Sequence, residues 1–305
     1  MLAALLAEPV LTADESPVEV VTPAKDKDTG EPVPGAPHVL VLRTPGERLV
    51  RLTAADSRRH EEVLASLRTF TGYLIVDGYG AYQKLLPDLA ADPGDGCGDG
   101  CGETVGDRQV DQRVGQGAPT GLLAGIQQCC QHITRRCKQV AKFGPGGLQA
   151  WAAKIIKVLG EAHDQVGAAQ ADGHTTLDPK VLADLRARYD DAVTLGITHN
   201  RHRDWHDSNH PGYTLATWLS KHAEQVWLFT TNFAVEWTSN AAERGVKPAK
   251  RHQAVSGYWQ NDRTLARWCL INSYLTSARN HGLTILDAIT RALNGNPWLP
   301  VPITA

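Results

Sequence analysis

GYLIVDGYGAYQKLL (72–86) sets the reading of everything around it. Gly72 to Gly78 is a continuous apolar run ending in an acid, which fits a buried strand with Asp77 at its C-terminal end. From Tyr79 to Leu86 the pattern becomes that of a helix. Upstream, SRRHEEVLASL (57–67) predicts a helix with Ser57 as its N-cap. Before it, HVLVLRT (38–44) and RLVRLT (48–53) flank the turn residues Pro45-Gly46-Glu47 and read as a hairpin of two short strands. VLTADESPVEVV (10–21), rich in β-branched residues, is a further strand with Asp14 inside it. Lys25 to Pro37, with three prolines and two glycines, is the loop between that strand and the hairpin.

The resulting order is strand, strand, strand, helix, strand. Three antiparallel strands followed by a crossover to a parallel fourth open an RNase H-like α/β fold, by analogy of fold. In such a sheet the first and fourth strands lie side by side, which would make Asp14 and Asp77 neighbours. Residues 87–121, containing PGDGCGDGCGETVGD (93–107), hold no periodic apolar face and read as a flexible Gly/Asp-rich insertion. LLAGIQQCC (122–130) is a candidate fifth strand running into the basic helix HITRRCKQVAK (132–142). Beyond it the chain is helical: 148–171 and 178–195, broken by Asp172-Gly173, then Trp218 to Val226, Glu236 to His252 and Arg263 to His281. Gly282 closes the last of these, and Thr284-x-x-Asp287 opens Ile285 to Leu293 as a capping box. The expected organisation is 9–147 as the first part of an RNase H-like core, 148–235 as a large all-helical insertion, and 236–295 as helices completing the core.

Composition adds bounds. With 305 residues, 42% hydrophobic and 21% charged, the chain can bury a full core as one large or two modest domains. No apolar run approaches a membrane span, and Met1 to Ala7 lacks the basic start of a signal peptide. The six cysteines are irregularly spaced and read as reduced thiols of a cytoplasmic protein. The net charge of −2 conceals an acidic first part, 1–120, and a basic second part. The stretch 238–268 carries Arg244, Lys247, Lys250, Arg251, Arg263 and Arg267 against Glu243 and Asp262. Such a patch suits phosphate contacts, although a solvated helix face has the same pattern.

Three carboxylates are candidates for chemistry. Asp14 sits inside a strand, where acids are depleted, and Asp77 ends one; singly each is an ordinary strand acid, but together they must pack into one sheet. Glu243 in TSNAAERGVKPAKRH is the best third acid, with Thr238 or Ser239 as N-cap. At helical spacing it shares a face with Lys247 and Lys250, which Pro248 is expected to kink or split. Three acids can hold two Mg²⁺ ions, with Mn²⁺ as a substitute, for in-line phosphoryl displacement. His199, His202 and His206 would share a helix face near His210, but arginines interleave them and a polar helix-to-loop junction fits better than a metal site. Cys97 and Cys101 lack two further zinc ligands nearby. No nucleotide-binding, dehydrogenase, metalloprotease or α/β-hydrolase motif is present.

TSNAAERGVKPAKRHQAVSGYW (238–259) closely resembles the signature of the insertion sequence 66 family of transposases. In order, ADES (13–16) resembles that family's first acidic motif, VDGYGAYQKLL (76–86) its second, and CCQHITRR (129–136) its Cys-x-x-His-x-x-Arg-Arg block. SARNHGLTILDAI (277–289) is similar too, so the resemblance spans about 14–293 outside the 87–121 insertion. It implies a DDE transposase in which Asp14, Asp77 and Glu243 are the catalytic, metal-holding acids. Arg244, Lys247, Lys250, Arg251, Arg135 and Arg136 would bind DNA phosphates. The implied activity is Mg²⁺-dependent strand cleavage followed by 3′-OH transfer, on transposon ends and target DNA, by a homo-oligomer assisted by accessory proteins. The alternatives are a catalytically inactive DNA-binding remnant and an RNase H-like nuclease with no joining step. Ser239 stands where the family usually has Asn, and the resemblance, with the first acid at position 14, leads to the expectation of a fragment or remnant without the N-terminal DNA-binding region usual in the family.

Overall fold

The structure is a computed structural model that describes residues 1–22, 36–55, 65–78, 80–86, 123–144, 147–206 and 208–300. The flexible insertion expected at 87–121, the cysteines Cys97 and Cys101, and most of the helix expected at 57–67 lie outside these residues.

A five-stranded sheet is built from β1 (Val10–Pro17), β3 (His38–Arg43), β4 (Val50–Ala55), β5 (Tyr73–Val76) and β6 (Gly125–Gln128), in the order β4-β3-β1-β5-β6. β3 is antiparallel to both β1 and β4, whereas β1–β5 and β5–β6 are parallel. The expected hairpin forms around a short 3₁₀ turn at Pro45–Glu47. The strand expected over 10–21 divides. Pro17, which has no N–H, ends β1, and Val20–Thr22 (β2) pairs in a separate two-stranded sheet with Trp259–Asn261 (β7).

Helices cover both faces of the sheet. On one, Leu11, Ala13, Leu40, Leu42, Leu74 and Val76 pack with α1 (Leu2–Leu6) and with the 3₁₀ segment Gly80–Leu85, which stands where a helix over 79–86 was expected. On the other, Val39, Val41 and Leu52 pack against α7 (Asn240–Ser256) and α8 (Asp262–Asn280). α7 runs unbroken through Pro248, which is exposed, so the carbonyl it leaves unpaired can meet water. It lies close to the sheet because residue 245 is glycine: a Cβ there would sit 2.6 Å from Val41 Cγ1. α8 covers the edge strand. The Ser273 and Ser277 hydroxyls accept from Leu52 N–H (2.8 Å) and Val50 N–H (3.0 Å), occupying donors that would otherwise invite another strand.

A third core joins α2 (Cys130–Val140), α3 (Ala150–Ala171), α4 (Pro179–Asn200), α5 (Pro211–Lys221) and α6 (Ala223–Thr231). Trp151, Tyr189 and Trp227 are its largest fully buried members, each contributing roughly 2–3 kcal/mol of burial. This helical array is fastened to the sheet edge at β6. Gln127 donates to Val226 O (3.1 Å) and accepts from Phe229 N–H (2.9 Å), pinning α6 to the strand. α9 (Ile285–Leu293) ends the described chain, with Thr284 accepting from Asp287 N–H as the capping pattern predicted.

Candidate active site

The β1–β5 register brings the first two acids together. Val10, Leu11 and Thr12 stand opposite Tyr73, Leu74 and Ile75, and carrying that register two residues further sets Asp14 against Asp77. Alternation along β1 puts Asp14 on the face that carries Val10 and Thr12, and Asp77, the first residue after β5, stands close enough for its charge to act on Asp14. Glu15 takes the opposite face, where it accepts a 2.8 Å hydrogen bond from the buried Tyr82 hydroxyl. Alternation thus decides which carboxylate of the Asp14-Glu15 pair is available for chemistry.

Asp14 is electrostatically strained. Burial, then the charges of Asp77 and Glu15, push its carboxyl up to about 7, against smaller opposing effects from His132 and the Glu15 N–H (3.0 Å). Gly78, directly after Asp77, has a φ of +101° that suits glycine, and a Cβ there would lie 3.3 Å from the Trp218 ring. Gln225 of α6 links the 3₁₀ segment to β6, exchanging hydrogen bonds with Gln83 (2.7 and 2.9 Å) and accepting one from Gln128 (2.7 Å).

Glu243 comes from the first turn of α7, whose buried stripe of Ala242, Gly245, Val246 and Ala249 packs on the sheet. Ser239 occupies the N-cap position, but its hydroxyl makes no cap hydrogen bond. Its backbone N–H donates instead to Cys129 Sγ (3.3 Å), and Cys130 N–H donates to Trp237 O (2.9 Å). These two bonds tie the entrance of α7 to the start of α2. Across that junction His132 Nε2 lies 3.4 Å from Glu243 Oε1. That carboxylate oxygen is buried and has no aligned hydrogen bond among the described residues. His132 also feels Asp77, and its pKa is raised, chiefly by the Cys129 thiol beside it and further by Asp77 and Glu243. Cys129 responds in kind: burial pushes its thiol up, but His132 and Ser239 outweigh this and hold it below its ordinary range.

His132 lies against Glu243 and within electrostatic reach of Asp14 and Asp77, a position that the Cys-x-x-His block in the sequence did not signal. Among the described residues, no group of three or more His, Cys, Asp or Glu side chains stands ready to hold a metal ion. The donor types nevertheless suit a hard divalent cation: Asp14, Asp77 and Glu243 offer carboxylate oxygens, and one Glu243 oxygen is buried without a hydrogen bond among the described residues.

The basic residues divide. Arg244, Lys247, Lys250 and Arg251 are all exposed along α7, and Arg135 is exposed on α2. Arg244 pairs with Glu47, and Lys250 donates to Pro17 O at the end of β1. Arg136 is half-buried, its guanidinium 4.9 Å from the Trp218 ring centre. The histidines 199, 202 and 206 do not share a helix, because α4 ends at Asn200 and His206 adopts a φ of +48°. His210 is buried and caps α5 by accepting from Gly212 N–H (3.0 Å), the polar junction expected there. Cys129, Cys130, Cys137 and Cys269 are free thiols, all buried.

A family model described as Transposase IS66 family matches residues 1–98 and 112–266. The chain belongs to that family. The matched span includes Asp14, Asp77, His132, Glu243 and the basic residues of α7, and membership of the IS66 family gives the chain a role in DNA transposition. No curated protein and no solved structure matches it. Among the described residues of this IS66 family member, no helix is long and apolar enough to cross a membrane.

Proposed function

We propose that this chain is the RNase H-like catalytic part of a DDE transposase, with Asp14, Asp77 and Glu243 as its acids and DNA as its substrate. The observation that carries the reading is the parallel β1–β5 pairing, which makes the strand that holds Asp14 and the strand that ends just before Asp77 neighbours in the sheet. The order β4-β3-β1-β5-β6, with antiparallel strands on one side and parallel strands on the other, supports the RNase H-like assignment. The separate core of α2 to α6 supports reading 148–235 as a helical insertion between the second and third acids.

The reaction is an in-line phosphoryl transfer. A water oxygen bonds to the scissile phosphorus as the P–O3′ bond breaks, the water losing a proton and the leaving O3′ gaining one. The freed 3′-OH then loses its proton and bonds to a target phosphorus as the target's own P–O3′ bond breaks and that 3′-oxygen leaves protonated. Mg²⁺, or Mn²⁺ in its place, would polarise the scissile phosphate and stabilise both the entering and the leaving oxygen. The chain's residues supply the rest. Asp14 and Asp77 are fixed by the sheet, and Glu243 is delivered by the first turn of a helix that packs on it. Lys247 and Arg251, exposed on the same helix, would hold the DNA backbone without reading its sequence. Arg135 and Arg136 on α2 would extend that contact beyond His132.

The test is strand transfer by purified protein with Mg²⁺ and the ends of the element that encodes it. Joined products that depend on Asp77 support the reading. Cleavage without joining would make the chain a nuclease, and binding without cleavage would make it an inactive remnant.

A further inference from the structure

The site contains one polar side chain that the three-acid reading leaves unused. His132 stands on the first turn of α2, between the sheet acids and the helix that carries Glu243. Its Nε2 is the cation-side neighbour of Glu243 Oε1 at 3.4 Å, and that oxygen has no hydrogen bond to hold its side chain in one rotamer. A glutamate has three side-chain torsions, and fixing them without a partner costs conformational entropy. Cys129, three residues before His132 at the start of α2, accepts a 3.3 Å hydrogen bond from the Ser239 N–H, immediately before α7. The contacts close a circuit: Ser239, Cys129, His132 and Glu243 join the entrance of α7 to its first acidic residue by way of α2.

We propose that His132 is a positioning residue that holds Glu243 towards Asp14 and Asp77, and that Cys129 supports it by anchoring the entrance of α7 through the Ser239 N–H. The inference rests on the reading of the three acids as cation ligands. The cation would contact oxygen, and the imidazole would act only through Glu243, the role that partners behind a ligand play in metal sites. Two features separate this from ordinary packing. The His132 ring is half-buried rather than part of a hydrophobic core, so its removal leaves no large cavity. The Cys129 sulfur, by contrast, is fully buried yet spends its acceptor capacity on the backbone that positions the helix.

The experiment is Mn²⁺ binding to the full chain, followed by loss of the free-ion electron paramagnetic resonance signal, without DNA and without turnover. Wild type, Asp77→Asn, His132→Ala, His132→Gln and Cys129→Ser are compared, with far-ultraviolet circular dichroism and DNA retention as checks on folding. The expected result is a dissociation constant raised roughly tenfold in His132→Ala. His132→Gln, whose amide can still reach the carboxylate, should recover part of the loss, and Cys129→Ser should lie between wild type and His132→Ala. All should retain DNA. If Asp77→Asn abolishes binding while His132→Ala and Cys129→Ser bind as wild type does, the positioning role is refuted and the acid site stands. If Asp77→Asn binds Mn²⁺ as well as wild type, the acids are not the cation site, and both the inference and the reading beneath it fall. A loss in His132→Ala that His132→Gln does not restore at all would also overturn it, since a general packing role predicts that pattern.

Discussion

Replacing Asp14 by asparagine should stabilise the protein above neutral pH, even though it removes a residue assigned to catalysis. The Asp14 carboxyl moves from 3.8 to about 7 on folding, because it is buried beside Asp77 and Glu15. At about 1.4 kcal/mol per pH unit, ionising it in the folded state costs up to about 4 kcal/mol. Solvent reaches the half-buried group, which reduces the expected cost to about 2 kcal/mol. Asparagine keeps an oxygen that can accept from the Glu15 N–H and carries no charge. The sign follows from linkage. The raised carboxyl imposes no penalty below 3.8, where it is protonated in both states; the penalty grows as pH rises towards 7 and is constant above it. Urea denaturation at pH 4 and pH 8 should therefore show Asp14→Asn close to wild type at the lower pH and about 2 kcal/mol more stable at the higher. Mg²⁺ should recover part of the difference in wild type and none in the variant, since only the carboxylate gains from a cation. A variant less stable than wild type at pH 8, or one with the same pH slope, would refute the burial argument.

Three further outcomes follow from the packing and the charge. Gly245→Ala should cost about 1–3 kcal/mol by forcing a methyl to within 2.6 Å of Val41 Cγ1, and the displaced α7 should lower cleavage more than DNA binding; thermal melts with paired activity assays would show this. Ser273→Ala should cost about 1–3 kcal/mol and promote association, because the Leu52 N–H of the edge strand loses its partner; light scattering after mild heating would detect it. Lys247→Ala and Arg251→Ala should each weaken DNA binding for all sequences alike and lower the salt slope by about one, measured by anisotropy over a salt series.

The sheet was legible because its strands announce themselves. The apolar run before Asp77 and the hairpin around Pro45-Gly46-Glu47 form where the pattern put them, and the adjacency of β1 and β5 followed from their order. The division of the first strand at Pro17 was less visible, since β-branched residues continue past it. Their partner, β7, lies far along the chain, and a local pattern cannot show a pairing of that kind. Pro248 misled in the opposite direction: an exposed proline is tolerated inside a helix that tertiary packing holds in place. Asp14 and Asp77 stood out as candidates because acids are rare in and at the ends of buried strands, whereas Glu243, on a helix, had no such signal. His132 did not stand out, because its significance depends on Glu243 crossing from another helix. His199, His202 and His206 share no helix face because α4 stops at Asn200, a boundary that no spacing rule gives.

The central claim is that Asp14, Asp77 and Glu243 form one cation-dependent site for DNA strand cleavage. Its most direct test pairs two readouts on the same samples: retention of a duplex carrying the element's end, and Mg²⁺-dependent nicking of that duplex. Wild type should bind and nick. Asp77→Asn and Glu243→Gln should bind at least as well, having lost a negative charge near phosphate, and should show no nicking above a reaction lacking Mg²⁺. Wild-type nicking by Glu243→Gln would contradict the assignment of the third acid, and nicking by Asp77→Asn would contradict the site as a whole.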